Sequence, residues 1–454
     1  MFCGATRTVT GSCFLLKNNS NVLIDIGMFQ GSVEKRNRRN FPFDPSEIDY
    51  VIITHSHLDH IGLLPKLVKS GFNGKIYSTK ATKDLAKHML YDSAKIQEEE
   101  AYTQTKKNLR KGLPKVDPLY TVEDAEKCFK LKWICKDEFY IDDMQVKFRN
   151  AGHILGSSFV EIDADKRITF SGDIGEPNKL IVKDVELPSK TDYLIVESTY
   201  ADRNHKSVEE SIEELKNAIN DTFERGGNVI IPSFALERTQ EILYVLHKLY
   251  YSQEIPDCQV FLDSPLAIDI TQVFLKYPEL YDEETLEEFK QKNPFYIPNL
   301  RFTKSVEESK EINEIKSGAI IIAGSGMCNG GRIKHHLKHN LWRRECSIVF
   351  VGYQVKGTLG RRIQKGLTEV PMMNNEGRIE VVKVRLQVES VEGFSGHSDR
   401  RQIISYVSHL TPKPERVIVC HGEKAKCRSI ANTIQRKCKV QTFVPAVMET
   451  IRLL

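Results

Sequence analysis

No apolar stretch in this sequence approaches the roughly 20 residues that a spanning helix requires, so a helical membrane protein is not expected. The start, Met1-Phe2-Cys3-Gly4, has no basic region followed by an apolar one. A secretory leader is therefore not expected, and the chain reads as cytoplasmic. Cysteine pairs of the C-x-x-C kind are also lacking. The ten cysteines, at 3, 13, 128, 135, 258, 328, 346, 420, 427 and 438, are scattered. That argues against a cysteine zinc knuckle and for small buried hydrophobes in a reducing compartment. Nor is there an excess of charge of one sign: 65 basic against 61 acidic residues leave +4. This balance neither demands nor excludes nucleic acid; what matters is where the basic groups cluster. Internal repeats and low-complexity linkers are missing too. What remains is a soluble globular composition, 40% apolar and 28% charged. At 454 residues it exceeds one ordinary core, and two or three domains are expected.

Short β-branched runs recur, each ending at a polar or Gly-rich turn: Val22–Ile26, Tyr50–Thr54, Gln145–Phe148, Ile168–Phe170, Tyr193–Val196, Val229–Ile231, Val260–Leu262, Ala319–Ala323, Ile348–Val351 and Val417–Cys420. Such runs read as buried strands. Helical patterns separate several of them. Ser207 and Glu210 form a capping box before Val208, Ile212, Leu215, Ile219 and Phe223 on one face, and Gly226 closes the segment. Leu236–Tyr250 is a second amphipathic stretch. The class is α/β. Potentially reactive residues follow the runs, at Asp25, His55, Asp173, Glu197, Asp263 and His421, where the loops of an α/β sheet converge on ligands. Charge patterning of helical type, as in Glu279–Lys292, marks the middle of the chain as a separate domain inserted into another.

The densest chemistry is Thr54-His55-Ser56-His57-Leu58-Asp59-His60, directly after a strand. Imidazole and carboxylate suffice for a catalytic zinc site. With 13 histidines in the chain, an H-x-H-x-D-H match arises by chance on the order of once in a thousand such sequences. His55 and His57 alternate along an extended backbone and point the same way, while Asp59 and His60 can aim at a second metal. Further donors follow strand-like runs at His153, Asp173 and His421. Singly, each is more often a core or surface residue; together they are a ligand set.

These residues carry a resemblance. The chain is similar to the β-CASP branch of the metallo-β-lactamase superfamily, and specifically to the cleavage-and-polyadenylation-specificity-factor-like ribonucleases of archaea and bacteria. The likeness runs from Gly4-Ala5-Thr6-Arg7-Thr8-Val9-Thr10-Gly11-Ser12 through the H-x-H-x-D-H cluster to Gly396-His397-Ser398-Asp399 and His421-Gly422-Glu423. Superfamily motifs fall on Asp25, His55–His60, His153 and Asp173, and the branch motifs A, B and C on Glu197, His397 and His421.

The resemblance implies an αββα metallo-β-lactamase sandwich with an inserted α/β β-CASP domain: 1–200 and 391–454 for the first, 201–390 for the second. It implies two Zn2+. His55, His57, His153 and Asp173 would hold one; Asp59, His60, the shared Asp173 and His421 would hold the other, leaving a position open for a bridging hydroxide. Asp25 would support the metal loop. Asp59, His397 and Glu197 are the expected catalytic set, with Glu197 positioning His397 as acid or hydrogen-bond donor. The implied activity is zinc-dependent hydrolysis of RNA, endonucleolytic with 5′→3′ exonuclease activity as an additional expectation, leaving 5′-phosphate and 3′-hydroxyl ends.

Phosphate-binding parts are expected in the insertion. Ser233, Phe234 and Arg238 lie between a strand and a helix, where anions are favoured. Ser325, Gly326 and Arg332 belong to a Gly-rich turn, and Tyr353 or Phe234 could stack bases. Basic stripes at Arg343-Arg344, at Lys356, Arg361, Arg362 and Lys365, and at Lys35, Arg36, Arg38 and Arg39 favour a nucleic-acid groove. The expected partners are single-stranded RNA and a second copy or a related β-CASP subunit, with no membrane.

Three alternatives stand beside this reading. A DNA nuclease of the same branch usually lacks the motif C histidine present at His421. A thioesterase or lactamase lacks the insertion and the histidine at 397. An inactive scaffold subunit loses ligand histidines, and none is lost here. Long archaeal members carry RNA-binding KH domains ahead of the hydrolase, and none is recognisable in this sequence. The apolar run Thr442–Leu454 is expected to close a sheet or to form a dimer contact.

Overall fold

A computed structural model describes residues 1–373 and 378–453. The chain divides into two units, Met1–Asn204 with His397–Leu454, and His205–Gly396.

The first unit holds two sheets. One has five strands in the order Phe14–Lys17, Asn21–Ile24, Tyr50–Ile52, Lys75–Tyr77, Trp133–Ile134. The other has seven, in the order Gln441–Phe443, Arg416–Val419, Tyr193–Val196, Arg167–Phe170, Ser158–Asp163, Met144–Asn150, Glu138–Ile141. The two-residue period of a strand sorts their side chains into layers. Val22, Ile24 and Ile52 of the first sheet share a core with Val146, Val160, Ile162, Tyr193, Ile195 and Ile418 of the second. The opposite faces pack on helices. Leu23, Val51 and Ile76 meet Leu64, Leu67, Ala86, Leu90 and Ala125. Leu194, Val196, Val417 and Val419 meet Ile403, Val407, Ile430 and Ile434. Strands buried on both faces explain the continuous apolar runs, and the four layers are helix, sheet, sheet, helix. Among the described residues of the apolar C-terminal run, only Thr442 and Phe443 lie in a strand, Gln441–Phe443, paired parallel to Arg416–Val419 at the sheet edge.

The second unit is built on a six-stranded sheet, parallel throughout, in the order Leu300–Phe302, Gln259–Asp263, Ala319–Ala323, Val229–Pro232, Ser347–Phe350, Gln387–Ser390. Helix Val208–Glu224 starts at the expected capping box: Ser207 accepts from the Glu210 N–H, and Glu210 reaches back to the Ser207 N–H. The Glu279–Lys292 pattern divides into a 3-10 turn, Pro278–Leu280, and the helix Glu283–Gln291. A hairpin pairs Glu369–Met373 with Ile379–Lys383. Among the described residues, no helix is long and apolar enough to cross a membrane.

The 30-residue helix Lys80–Leu109 is not among the helices the sequence suggested. Its buried side chains, Leu85, Ala86, Leu90, Ala94 and Ala101, are mostly small and thinly spread among charges, so no strong apolar stripe marks it.

Candidate metal centre

Each donor leaves the carboxyl end of a strand in the first unit. Asp25 follows Asn21–Ile24, the His55–His60 stretch follows Tyr50–Ile52, and His153 follows Met144–Asn150. Asp173 follows Arg167–Phe170, Glu197 follows Tyr193–Val196, and His421 follows Arg416–Val419. Parallel neighbours therefore deliver their loops to one end. Asp25 and His421 sit at φ +58° and +50°, a region that side-chain-bearing residues seldom enter, so the surrounding structure must hold them there.

Donor atoms of His55, His57, His153 and Asp173 all lie within 4.8 Å of one another, and so do those of Asp59, His60 and His421. His57 Nδ1 is 3.2 Å from His55 Nε2 and 3.1 Å from His153 Nε2. Four ligands at about 2.0–2.1 Å from a zinc ion stand about 3.4 Å apart at the edges of a tetrahedron. Three ring nitrogens converging at that spacing fit a shared cation better than mutual hydrogen bonds. Asp173 bridges the groups: its Oδ2 is 3.5 Å from His55, 3.6 Å from His153 and 3.3 Å from His60, and its Oδ1 is 3.7 Å from His421. Asp59 Oδ2 faces His421 Nε2 at 3.7 Å. Among the described residues, His60 Nε2, Asp173 Oδ1 and His421 Nε2 are buried and make no hydrogen bond. Buried polar atoms are rarely left so, and three aimed into one pocket fit a missing cation.

Electrostatics favour the neutral form of three of the histidines. Burial pulls His55, His57 and His153 below the usual histidine value, His57 to about 4, leaving their lone pairs available. Burial acts the same way on His60, yet Asp173 and Asp25 outweigh it and raise it. Burial alone would raise Asp173, but His60, His421 and His397 hold it well below the usual carboxylate range.

The supports are local. Asp25 accepts from the Thr54 N–H at 2.9 Å and from Ser12 Oγ at 3.1 Å, and lies 2.6 Å from His60 Nδ1, which turns His60 Nε2 toward Asp173. Glu197 accepts from the Ile174 N–H at 2.8 Å and lies 3.1 Å from His397 Nδ1. His397 is lowered by burial and raised by Glu197 and Asp173, ending at about 9. Several supports were not legible beforehand. Thr54 Oγ1 touches both Asp25 and His55, Ser157 Oγ accepts from the His153 N–H, and Thr199 Oγ1 lies 3.2 Å from His421 Nδ1. Adjacency to His55 and Glu197 was the available signal for Thr54 and Thr199; Ser157 had none.

Comparison with known proteins adds identity to this geometry. Family models match residues 6–225 as metallo-beta-lactamase superfamily, 239–363 as Beta-Casp domain, and 381–445 as Zn-dependent metallo-hydrolase RNA specificity domain. Ribonuclease TTHA0252 of Thermus thermophilus is 37% identical over 436 residues, covering 95% of this chain and 94% of the relative. The chain belongs to the β-CASP branch of the metallo-β-lactamase superfamily. Transcription termination factors FttA of Methanocaldococcus jannaschii and Thermococcus kodakarensis are each 34% identical, over 100% and 99% of this chain and 71% and 70% of their own lengths. The cluster above therefore lies in a metallo-hydrolase fold whose family is Zn-dependent.

Most of the expected phosphate-binding residues of the β-CASP domain gather at the carboxyl ends of three neighbouring strands. The Ser233 N–H bonds Ala323 O, a Cβ on Gly326 would lie 3.0 Å from the Phe234 ring, and Gln354, next to Tyr353, donates to Gly326 O at 3.0 Å. Phe234 and Tyr353 are 49% and 41% exposed, as a stacking role requires. Ser325 Oγ donates to Gly330 O inside its own turn. Arg238 pairs with Glu241 at 2.7 Å and lies over Phe394. Arg332 turns inward: its guanidinium donates to Asp263 at 2.6 Å, Thr303 O at 3.0 Å and Lys304 O at 2.6 Å.

Proposed function

We propose that this chain is a metal-dependent ribonuclease that hydrolyses single-stranded RNA with two zinc ions. His55, His57, His153 and Asp173 would hold one ion, and Asp59, His60, Asp173 and His421 the other. The observation that carries the reading is the sharing of Asp173 between the two donor groups, with His60 Nε2, Asp173 Oδ1 and His421 Nε2 buried and, among the described residues, making no hydrogen bond. When bound, a pair of such ions supplies an activated water and neutralises charge developing on the phosphoryl oxygens.

The chain's own residues do the rest. Asp25 and Thr54 fix the orientation of the His55–His60 loop, so its donors converge without rearrangement. Glu197 holds His397 by Nδ1, and its carboxylate and Asp173 favour the protonated ring against burial. A bound dication would push the other way, but the Glu197 contact still leaves His397 the donor best suited to the leaving 3′-oxygen. Attack by water in place of the 2′-hydroxyl predicts 5′-phosphate and 3′-hydroxyl ends, and Phe234, Tyr353 and the loop at Ser325–Gly326 of the second unit would bind RNA. The identity of the ribonuclease relative, at 37% over nearly both lengths, supports RNA over DNA. The test is end analysis of matched 5′-labelled RNA and DNA after incubation with zinc-loaded protein. RNA cut to 5′-phosphate ends is expected; 2′,3′-cyclic phosphate ends, or equal cutting of DNA, would overturn the reading.

A further inference from the structure

Two stretches of the first unit that lie outside the metal centre are rich in positive charge. Gly31–Arg39 carries four basic side chains and one acidic one; residues 102–116 carry five basic and no acidic ones. Their surplus of eight stands on a chain whose total is only +4, so the remainder is net negative.

The fold joins these stretches into one surface. The helix Lys80–Leu109 ends at Arg110, and the following loop doubles back along it. Thr105 Oγ1 accepts from the Val116 N–H at 3.0 Å, Asn108 Nδ2 donates to Pro114 O at 2.9 Å, and the Leu113 N–H donates to Asn108 O at 2.9 Å. The loop that carries Lys111 and Lys115 is therefore fixed against the helix. Arg38, at the end of the 3-10 helix Gly31–Arg38, donates to Asp117 O at 3.0 Å, which brings the second basic stretch to the same place. That 3-10 helix begins beside the metal loop: the Met28 N–H bonds Leu58 O, and the Gln30 N–H bonds Thr10 Oγ1.

Cations at a helix C-terminus are ordinarily explained by the carbonyls they face. That accounts for Lys106, Lys107 and Lys35, but not for Lys115 or Arg39. Some exposed lysines elsewhere on this protein are paired, as Lys127 is with Glu123 and Lys290 with Glu287. Among the described residues, no carboxylate pairs with Lys35, Arg36, Arg39, Lys106, Lys107, Arg110, Lys111 or Lys115. Acidic residues are few here: Glu34 lies in the 3-10 helix, and Glu99 and Glu100 line a groove with Arg38 and Lys107, about two and a half turns before the helix end. An aromatic lies within the patch. Tyr102 is 62% exposed, with the Lys106 ammonium 4.4 Å from its ring centre. Unpaired cations around an open aromatic ring are what a single strand of nucleic acid needs: phosphate partners and a platform for a base.

We propose that the end of helix Lys80–Leu109, its returning loop and the 3-10 helix Gly31–Arg38 form a second RNA-binding surface, which holds the strand beyond the segment engaged at the metal centre. The choice of RNA rests on the ribonuclease reading. An anionic membrane would also attract the cations, but only three large apolar side chains are exposed on this stretch, Tyr102, Leu109 and Leu113, against five basic ones, which favours RNA.

The test uses the full-length, zinc-loaded protein and fluorescent phosphorothioate RNAs of 24 and 6 nucleotides, with fluorescence anisotropy as the readout. Lys107→Ala, Arg110→Ala and Lys111→Ala are combined in one variant. A control variant removes the same charge at the exposed Lys290, Lys310 and Lys316. The patch variant is expected to bind the 24-mer about tenfold more weakly at 0.1 M salt. Its slope of log affinity against log salt should shrink by about 2, near 0.7 per lost phosphate contact on a single strand. A patch variant indistinguishable from the control overturns the proposal. So does a variant that keeps its RNA affinity but no longer binds vesicles of mixed phosphatidylserine and phosphatidylcholine, which would make the surface a membrane contact. A wild-type protein that binds the 24-mer through this surface yet cuts no unmodified RNA would refute the ribonuclease reading and leave the surface standing.

Discussion

Asp173 and Asp263 occupy equivalent places in two different sheets, and the contrast between them separates a site from a strut. Each lies at the carboxyl end of a strand, Arg167–Phe170 and Gln259–Asp263, and each is buried beside histidine and other polar groups. Asp263 is fully engaged. Arg332 and Thr303 reach one oxygen at 2.6 Å, and Ser309 and His336 reach the other at 2.6 and 2.7 Å. Asp173 instead faces five imidazoles at 3.3–3.9 Å, and its Oδ1 makes no hydrogen bond. A buried carboxylate held short of its neighbours is costly unless something else completes its shell. Asp263 finds its partners within the protein, whereas Asp173 Oδ1 finds none among the described residues, which fits a cation.

The largest expected effect tests the second half of that contrast. His57→Ala removes a donor from the metal group and should lower kcat/KM by at least about 10³-fold, several kcal/mol of lost transition-state stabilisation. Because the donors are crowded and unsatisfied without metal, the metal-free variant should unfold in urea at the same midpoint as metal-free wild type, or a higher one. A clear drop in that midpoint would recast the cluster as structural. His397→Ala should cost less, about 10²–10³-fold in kcat, with zinc content and RNA affinity retained. Unchanged turnover in single-turnover assays would remove the role assigned to His397.

The converse test falls on Asp263. Asp263→Asn leaves Arg332 without its buried counter-charge and should cost about 3 kcal/mol of stability, read as a lower urea midpoint. Burial alone would raise the Asp263 carboxyl, yet His336, Ser309, Thr303 and Arg332 hold it below the usual carboxylate range. A depressed folded-state value means the stabilisation is complete above the unfolded value of about 4 and is lost as pH falls toward the folded one. The gap between wild type and Asp263→Asn should therefore narrow below about pH 4. A gap that stays constant with pH would place the effect in packing instead of charge.

How far each centre could be read from the residue order follows from the same contrast. The cluster of candidate donors was legible because H-x-H-x-D-H is compact, and because His153, Asp173 and His421 each follow an apolar run that did become a strand. Strand ends were read slightly long, since Asp25 breaks its run by turning to positive φ at the point where the run still looks apolar. Asp263 was noticed as a strand-end carboxylate, but nothing near it in sequence announces Ser309, Arg332 or His336. These partners lie 46, 69 and 73 residues away and meet it only through the order of the parallel strands. For the same reason Arg332 was read as a phosphate contact from its Gly-rich setting, while the fold turns it toward Asp263. Helix Lys80–Leu109 escaped because its stability comes from tertiary packing of small residues and not from a strong apolar stripe.

The smallest expected effect lies at the edge of the metal centre, where a neutral group holds a ligand in place. Thr199 Oγ1 lies 3.2 Å from His421 Nδ1, and it also donates to His421 O at 3.2 Å, so one hydroxyl touches both ring and backbone of a residue held at positive φ. Removing it in Thr199→Ala should free the ring to rotate and weaken zinc about tenfold at the Asp59–His60–His421 group, by competition titration with a chromophoric chelator. The other group, His55, His57 and His153, does not touch Thr199, so only one of two binding phases should move. Thr199→Ser keeps the oxygen and should titrate like wild type. If serine proves as weak as alanine, the methyl group and not the hydroxyl orients His421, and the Thr199 contact belongs with the packing forces that hold Asp263's neighbours, not with the ligand supports around Asp173.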